Sequence, residues 1–125
     1  MPDLDNRALR AIADVHPDLA KVVRRAAYIA PLSFTVAEGV RSLARQRRLV
    51  AAGASRTLRS RHLTGHAVDL AAKVGGQIRW DWPLYERLAA AMKAAASELH
   101  IPIEWGGDWK MRDGPHFQLT WETYP

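Results

Sequence analysis

The alternating segment over residues 66–73 carries a carboxylate where a β-strand is usually apolar. Asp69 lies between Val68 and Leu70, and Asp has a poor propensity for strands. Burying an unpaired charge is costly, so a buried carboxylate needs a partner such as an arginine or a metal ion. The segment therefore predicts a strand in which a charged group meets Asp69.

The rest of the chain predicts helices flanking a small antiparallel sheet, which is an α+β fold. Gly, Pro and capping residues separate the segments. In chain order we expect a helical part over about residues 1–30 that Asp3 or Asp5 caps, a strand or turn over residues 34–40, a helix over residues 42–52, a loop over residues 53–65, the strand over residues 66–73, a turn at Gly75 and Gly76 into residues 77–80, a helix from Asp81 to Leu99, and two strands, IEW and HFQLTW.

The length of 125 residues predicts one compact domain, residues 1–125, with no separate wall-binding module. The chain has no cysteine, so any metal must be held by His, Asp or Glu. Neither a signal peptide nor the roughly 20 apolar residues of a membrane span are recognisable. These patterns predict a protein made in the cytoplasm, and we expect a monomer.

Four polar residues are candidates for a catalytic metal site. His62 lies in the loop, Asp69 in the strand, His116 at the start of the last strand, and Asp113 three residues before it. A catalytic zinc takes three protein ligands and a water, often beside a carboxylate base. Taken singly, each residue is also compatible with an ordinary turn or capping role, and His66 is a candidate for a supporting or substrate-contacting residue.

The spacing of these residues resembles that of the LAS-type, VanY-like zinc peptidases. Ser60, His62, Gly65, Ala67 and Asp69 form an SxHxxGxAxD pattern. Near the C-terminus EWGGDW and DGPHF follow, and GVRSLARQ upstream resembles the family's arginine segment. Asp113, where other branches often carry Glu, resembles the phage endolysins that are L-alanyl-D-glutamate endopeptidases.

This resemblance implies a LAS-type, hedgehog-like fold and a site with one Zn²⁺ per chain. His62, Asp69 and His116 would bind zinc, and Asp113 would be the catalytic carboxylate. Arg41 would stabilise the developing oxyanion or a substrate carboxylate, and Ser60 matches a substrate-side serine. Trp105 and Trp109 are candidates for cleft walls, or equally for core aromatics.

The function implied is that of a phage endolysin that cuts peptidoglycan stem peptides between L-Ala and D-Glu. Such an enzyme would reach the periplasm through a holin-type pore at lysis. An alternative within the same fold is a D-alanyl-D-alanine carboxypeptidase. A relative that binds the metal without catalysis is also conceivable.

A basic surface predicts a polyanionic partner. The net charge is +5, and residues 41–61 contain seven arginines and no acidic residue. We expect attraction to the anionic bacterial envelope. A nucleic-acid-binding module is the alternative from another class, but the segment lacks interleaved aromatics and leaves Asp69 and Asp113 unexplained.

Overall fold

A computed structural model describes residues 4–55 and 57–125 and has the α+β fold expected from the sequence. Asp3, one of the two predicted caps, and Arg56, one of the clustered arginines, lie outside these residues. The helices in the described part are α1 (Asn6–Ile12), α2 (Pro17–Ile29), α3 (Leu43–Ala51) and α4 (Trp82–Leu99). The strands there are β1 (Ser33–Glu38), β2 (Ala67–Val74), β3 (Gln77–Arg79), β4 (Ile103–Trp105) and β5 (His116–Leu119).

Strand β2 is the centre of an antiparallel sheet. The order is β1-β2-β5-β4, and β3 forms a hairpin with β2. The register places His116 of β5 directly opposite Asp69, with Glu38 at the end of β1 on its other side. Because directly opposed residues have Cβ atoms about 5 Å apart, the sheet itself brings two of the predicted ligands, Asp69 and His116, together.

The hydrophobic core lies between the sheet and the helices α2 and α4. On β2, Val68 and Leu70 face this core together with Phe117 of β5, whereas Asp69 points to the other face. Helix α4 contributes the fully buried Leu88 and Met92. The core thus fixes the strands from one side and leaves their other side for polar side chains.

Two elements differ from the expected boundaries. The predicted loop over residues 53–65 contains a 3₁₀ turn, Arg61–Thr64, which begins where the Ser60 hydroxyl accepts a hydrogen bond from the His62 amide. It ends at Gly65, whose φ of 74° is left-handed. Strand β5 stops at Leu119 rather than Trp121, and at its end Arg61 donates hydrogen bonds to the carbonyl oxygens of Leu119 and Thr120.

Asp81 begins α4 as expected but makes no capping hydrogen bond with its side chain, which pairs with Arg79 instead. In the part of the chain that the structure describes, no helix is both long and apolar enough for a bilayer span.

Candidate metal centre

Three of the predicted site residues meet on the polar face of the sheet. One nitrogen of His62, one of His116 and a carboxylate oxygen of Asp69 all lie within 4.8 Å of one another. The 3₁₀ turn presents His62, while neighbouring strands present the other two. The arrangement depends on residues that are distant along the chain and adjacent in the fold.

His62 is held so that one ring nitrogen faces Asp69. It is buried, and its Nδ1–H donates to the Gly39 carbonyl oxygen at 2.8 Å. A neutral ring with its proton on Nδ1 has its lone pair on Nε2, which lies 3.2 Å from Asp69 Oδ1. Gly39 can pack closely against Ala11 only because it lacks a Cβ, since a Cβ there would overlap the Ala11 carbonyl group.

His116 directs its other type of ring nitrogen, Nδ1, toward Asp69. Its Nε2–H donates to Gln118 Oε1 at 2.8 Å, and its Nδ1 lies 3.4 Å from Asp69 Oδ1. The Gln118 amide in turn donates to Glu104 at 3.4 Å. Each histidine therefore uses one nitrogen to bind the protein and directs the other inward, as metal-ligating histidines do.

Two of the three separations between the candidate ligand atoms suit a small tetrahedral ion. Ligands about 2.0–2.2 Å from a tetrahedral zinc lie about 3.3–3.6 Å from one another. The two contacts of Asp69 Oδ1, 3.2 and 3.4 Å, are close to this separation. Two imidazoles and one carboxylate form a donor set that suits zinc and leaves a fourth position open.

Asp69 has the charged partners that its burial requires. Burial alone would raise its pKa, but the neighbouring side chains of His116 and His62 outweigh this effect and lower the pKa far below the usual range. Arg41 Nη2 is 3.7 Å from the other carboxylate oxygen. The carboxylate is thus ionised at neutral pH and available as a ligand.

Asp113 lies beside the three donors on the loop before β5. Its amide donates to the Gly106 carbonyl at 2.9 Å, and its own carbonyl accepts from the His116 amide at 3.3 Å. A Cβ on Gly106 would overlap Asp113, so this glycine permits the close packing. Loss of hydration and the Asp69 carboxylate raise the pKa of Asp113, which suits a group that accepts and returns a proton.

Arg41 is fixed by two residues that sequence reasoning did not single out as site residues. Its guanidinium pairs with Glu38 and donates from Nη1 to Gln46 Oε1 at 2.7 Å. Gln46 is completely buried, and Glu38 also accepts from Arg45. The glutamine of GVRSLARQ was the available signal for Gln46; no periodicity indicated Glu38.

An open cleft of about 920 Å³ lies over these groups. It is lined by the side chains of His62, Asp69 and His116, by Asp113 and Arg41, and by two of the predicted substrate-side residues, Ser60 and Trp109. The Trp109 ring is 5.1 Å from that of His116.

Trp105 and His66, also predicted as substrate-side residues, are not among the residues that line this cleft. Trp105 is buried in the core, where its indole N–H donates to Gly114 at 2.7 Å. His66 shares a hydrogen bond between its Nδ1 and the Thr64 hydroxyl at 2.7 Å, and its ring lies against that of His16. Burial, then the positive charge of Arg61, lowers the pKa of His66.

The chain is similar to several known peptidases. The family model for phage L-alanyl-D-glutamate peptidase matches residues 3–121. An L-alanyl-D-glutamate peptidase of Escherichia phage T5 is 34% identical over 119 residues, covering 92% of this chain and 87% of that protein. The enzyme of the same name from Listeria phage A118 is 38% identical over 88 residues, or 70% of this chain and 30% of that protein.

Two solved structures share the fold. The Serratia marcescens L-Ala D-Glu endopeptidase ChiX superposes with a TM-score of 0.94 at 50% identity, covering 99% of this chain and 95% of ChiX. The vancomycin-resistance D,D-dipeptidase VanXYg, solved with a D-Ala-D-Ala phosphinate analogue, gives a TM-score of 0.53 at 23% identity, with 84% and 50% coverage.

Proposed function

The chain belongs to the phage L-alanyl-D-glutamate peptidase family, and we propose that it cleaves the L-Ala–D-Glu bond of peptidoglycan with one zinc ion. The observation that carries the proposal is the convergence of His62 Nε2, Asp69 Oδ1 and His116 Nδ1, with the outer nitrogen of each histidine already hydrogen bonded. These three side chains would hold the ion. It would supply a Lewis acid and lower the pKa of a bound water toward about 7.

Asp113 is the proton carrier in this proposal. It lies in the cleft with a raised pKa, so it can accept the proton of the attacking water and return it to the leaving amine. Its backbone is held by the hydrogen bond to Gly106, which keeps the carboxylate in the cleft.

Arg41 stabilises the negative charge that develops on the scissile carbonyl oxygen. Its contacts with Glu38 and Gln46 hold the guanidinium in place before substrate arrives, so little reorganisation is needed during the reaction. Ser60 and Trp109 lie in the same cleft, where they would contact the bound peptide.

We further propose that the enzyme acts on the peptidoglycan of its host after passage through a holin-type pore, as a monomer. The relationship to phage peptidases supports action on the peptidoglycan of a bacterial host. The net charge of +5 supports attraction to an anionic envelope.

The function is tested by digesting purified peptidoglycan with the wild type and His116→Ala, with EDTA and with zinc add-back. Mass spectrometry of the wild-type products should show new N-terminal D-Glu ends that disappear with EDTA, return with zinc and are absent for His116→Ala. Released D-Ala would instead identify a carboxypeptidase, and products that are insensitive to EDTA would overturn the metal-dependent mechanism.

A further inference from the structure

The proposed scissile bond has a chemical property that the cleft must accommodate. Glutamate has two carboxyl groups, and the peptide chain continues through only one of them. The other is a free carboxylate near neutral pH unless it is amidated. The residue that leaves therefore carries an anion close to the nitrogen of the broken bond.

Most of the cationic groups in the cleft are already engaged. Arg41 and Arg45 pair with Glu38, and Arg61 donates to the main-chain carbonyls of the C-terminal segment. The cleft-lining arginines in the described part of the chain are Arg41, Arg45, Arg59, Arg61 and Arg112. Among the described residues, neither Arg59 nor Arg112 has a carboxylate within salt-bridge distance.

Arg112 differs from Arg59 in its position in the cleft and in its contact with an aromatic ring. It directly precedes Asp113, the group that returns a proton to the leaving amine, and it lines the same cleft. Its guanidinium carbon lies 3.6 Å from the centre of the Trp82 ring, which itself stacks on Trp105. The guanidinium carbon of Arg59 lies 5.8 Å from the centre of the Trp121 ring.

Stacking leaves the edges of a guanidinium free. The planar group of Arg112 can rest on Trp82 while its N–H groups donate to a carboxylate in a bidentate pair. The tryptophan also restricts the arginine side chain before binding, which reduces the entropy lost on complex formation.

We propose that Arg112 binds the free carboxylate of the D-glutamate on the leaving side of the bond and so selects an acidic residue there. The proposal rests on the proposed function. The ligand is the carboxylate of an acidic peptide, and the position of Arg112 next to Asp113 couples recognition of the leaving residue to the site of proton return.

Two synthetic stem peptides test this, one with D-glutamate and one in which the free carboxylate is replaced by a carboxamide. The wild type should show a kcat/KM about 10- to 100-fold higher for the carboxylate, as expected for a charge-assisted pair. Arg112→Ala should cleave both peptides equally, at about the wild-type rate for the amide. Arg112→Lys should recover part of the preference, because it keeps the charge without the planar fork.

The preference is a ratio measured on one enzyme preparation, so a lower fraction of folded variant does not alter it. Arg47→Ala, an equal change of charge at an exposed position outside the cleft, should keep the wild-type ratio. A wild type that cleaves neither peptide would refute the proposed function itself. If the wild type is active but Arg112→Ala keeps its preference, or Arg59→Ala loses it instead, the role of Arg112 is wrong.

Discussion

Single carboxylates connect distant parts of this fold. Asp5 is an example away from the metal centre: it accepts hydrogen bonds from the Ala8 amide at 2.8 Å and the Thr35 hydroxyl at 2.7 Å. Lys73 of β2 pairs with the same carboxylate at 3.1 Å. One side chain thereby caps α1 and fastens it to β1 and β2.

We expect the stability contributed by the charge of Asp5 to depend on pH. Burial would raise the pKa of Asp5, but the contacts with Thr35, Ala8 and Lys73 together lower it below its usual range. Because the pKa of Asp5 is lower in the folded than in the unfolded protein, its ionised carboxylate stabilises the folded state at pH values above the unfolded pKa. This contribution is lost as the pH falls through the pKa of the folded state. Asp5→Asn keeps a capping side chain but removes the charge, so it should cost up to about 1 kcal/mol near neutral pH.

Urea denaturation of the wild type and Asp5→Asn from about pH 7 to about pH 2.5 measures this difference. The gap in the free energy of unfolding should close toward the acid end. A gap that stays constant or widens in acid would show that the charge of Asp5 does not stabilise the folded state.

For the candidate site, the sequence indicated which side chains meet better than it indicated what holds them. His62, Asp69 and His116 are expected together because their segments resemble those of a zinc peptidase family, and the structure brings one atom of each within 4.8 Å of the others. The supports of His62 and His116 could not be assigned in this way. Gly39 acts through a carbonyl oxygen that every residue has, and Gln118 is recognisable only once the strand register and the ring orientation are known.

Helix α4 contributes several fully buried side chains to the core. Leu88 is 1% exposed and lies in the core with Met92 and Val23 of α2. Replacing it with Ala leaves a cavity, and we expect Leu88→Ala to lower the free energy of unfolding by roughly 2–5 kcal/mol. Leu84→Ala, the same change at a partly exposed position of this helix, should cost less. Chemical denaturation measures both, and equal losses would contradict the packing described.

Regular elements were predictable from periodicity, and short irregular ones were not. The apolar stripe gave α4, and alternation gave β2 and β5. The 3₁₀ turn that carries His62 is four residues long and depends on tertiary contacts, including those of Arg61 with the end of β5. Trp105 illustrates the same limit, because an aromatic residue beside a glycine pair suits a core and a cleft equally well.

Over the whole molecule, the basic surface should affect the encounter with the cell wall more than the chemistry. Arg47 and Arg48 are exposed on α3 and lie outside the cleft. The double variant Arg47→Gln/Arg48→Gln should digest intact peptidoglycan several-fold more slowly at low salt, because steering by charge weakens. The difference should vanish at about 0.5 M salt, where screening is strong, and soluble peptides should be cleaved at the wild-type rate. An equal loss on soluble peptides would place the effect in the active site.

In the proposed mechanism three side chains hold a zinc ion and a fourth, Asp113, performs proton transfer without holding it. Zinc content after dialysis, measured by elemental mass spectrometry on the wild type, His62→Ala, Asp69→Ala, His116→Ala and Asp113→Asn, tests this most directly. We expect about one zinc per chain in the wild type and in an inactive Asp113→Asn, and strongly reduced zinc in the other three. Full zinc retention by any of those three, or its loss from Asp113→Asn, would contradict the assignment.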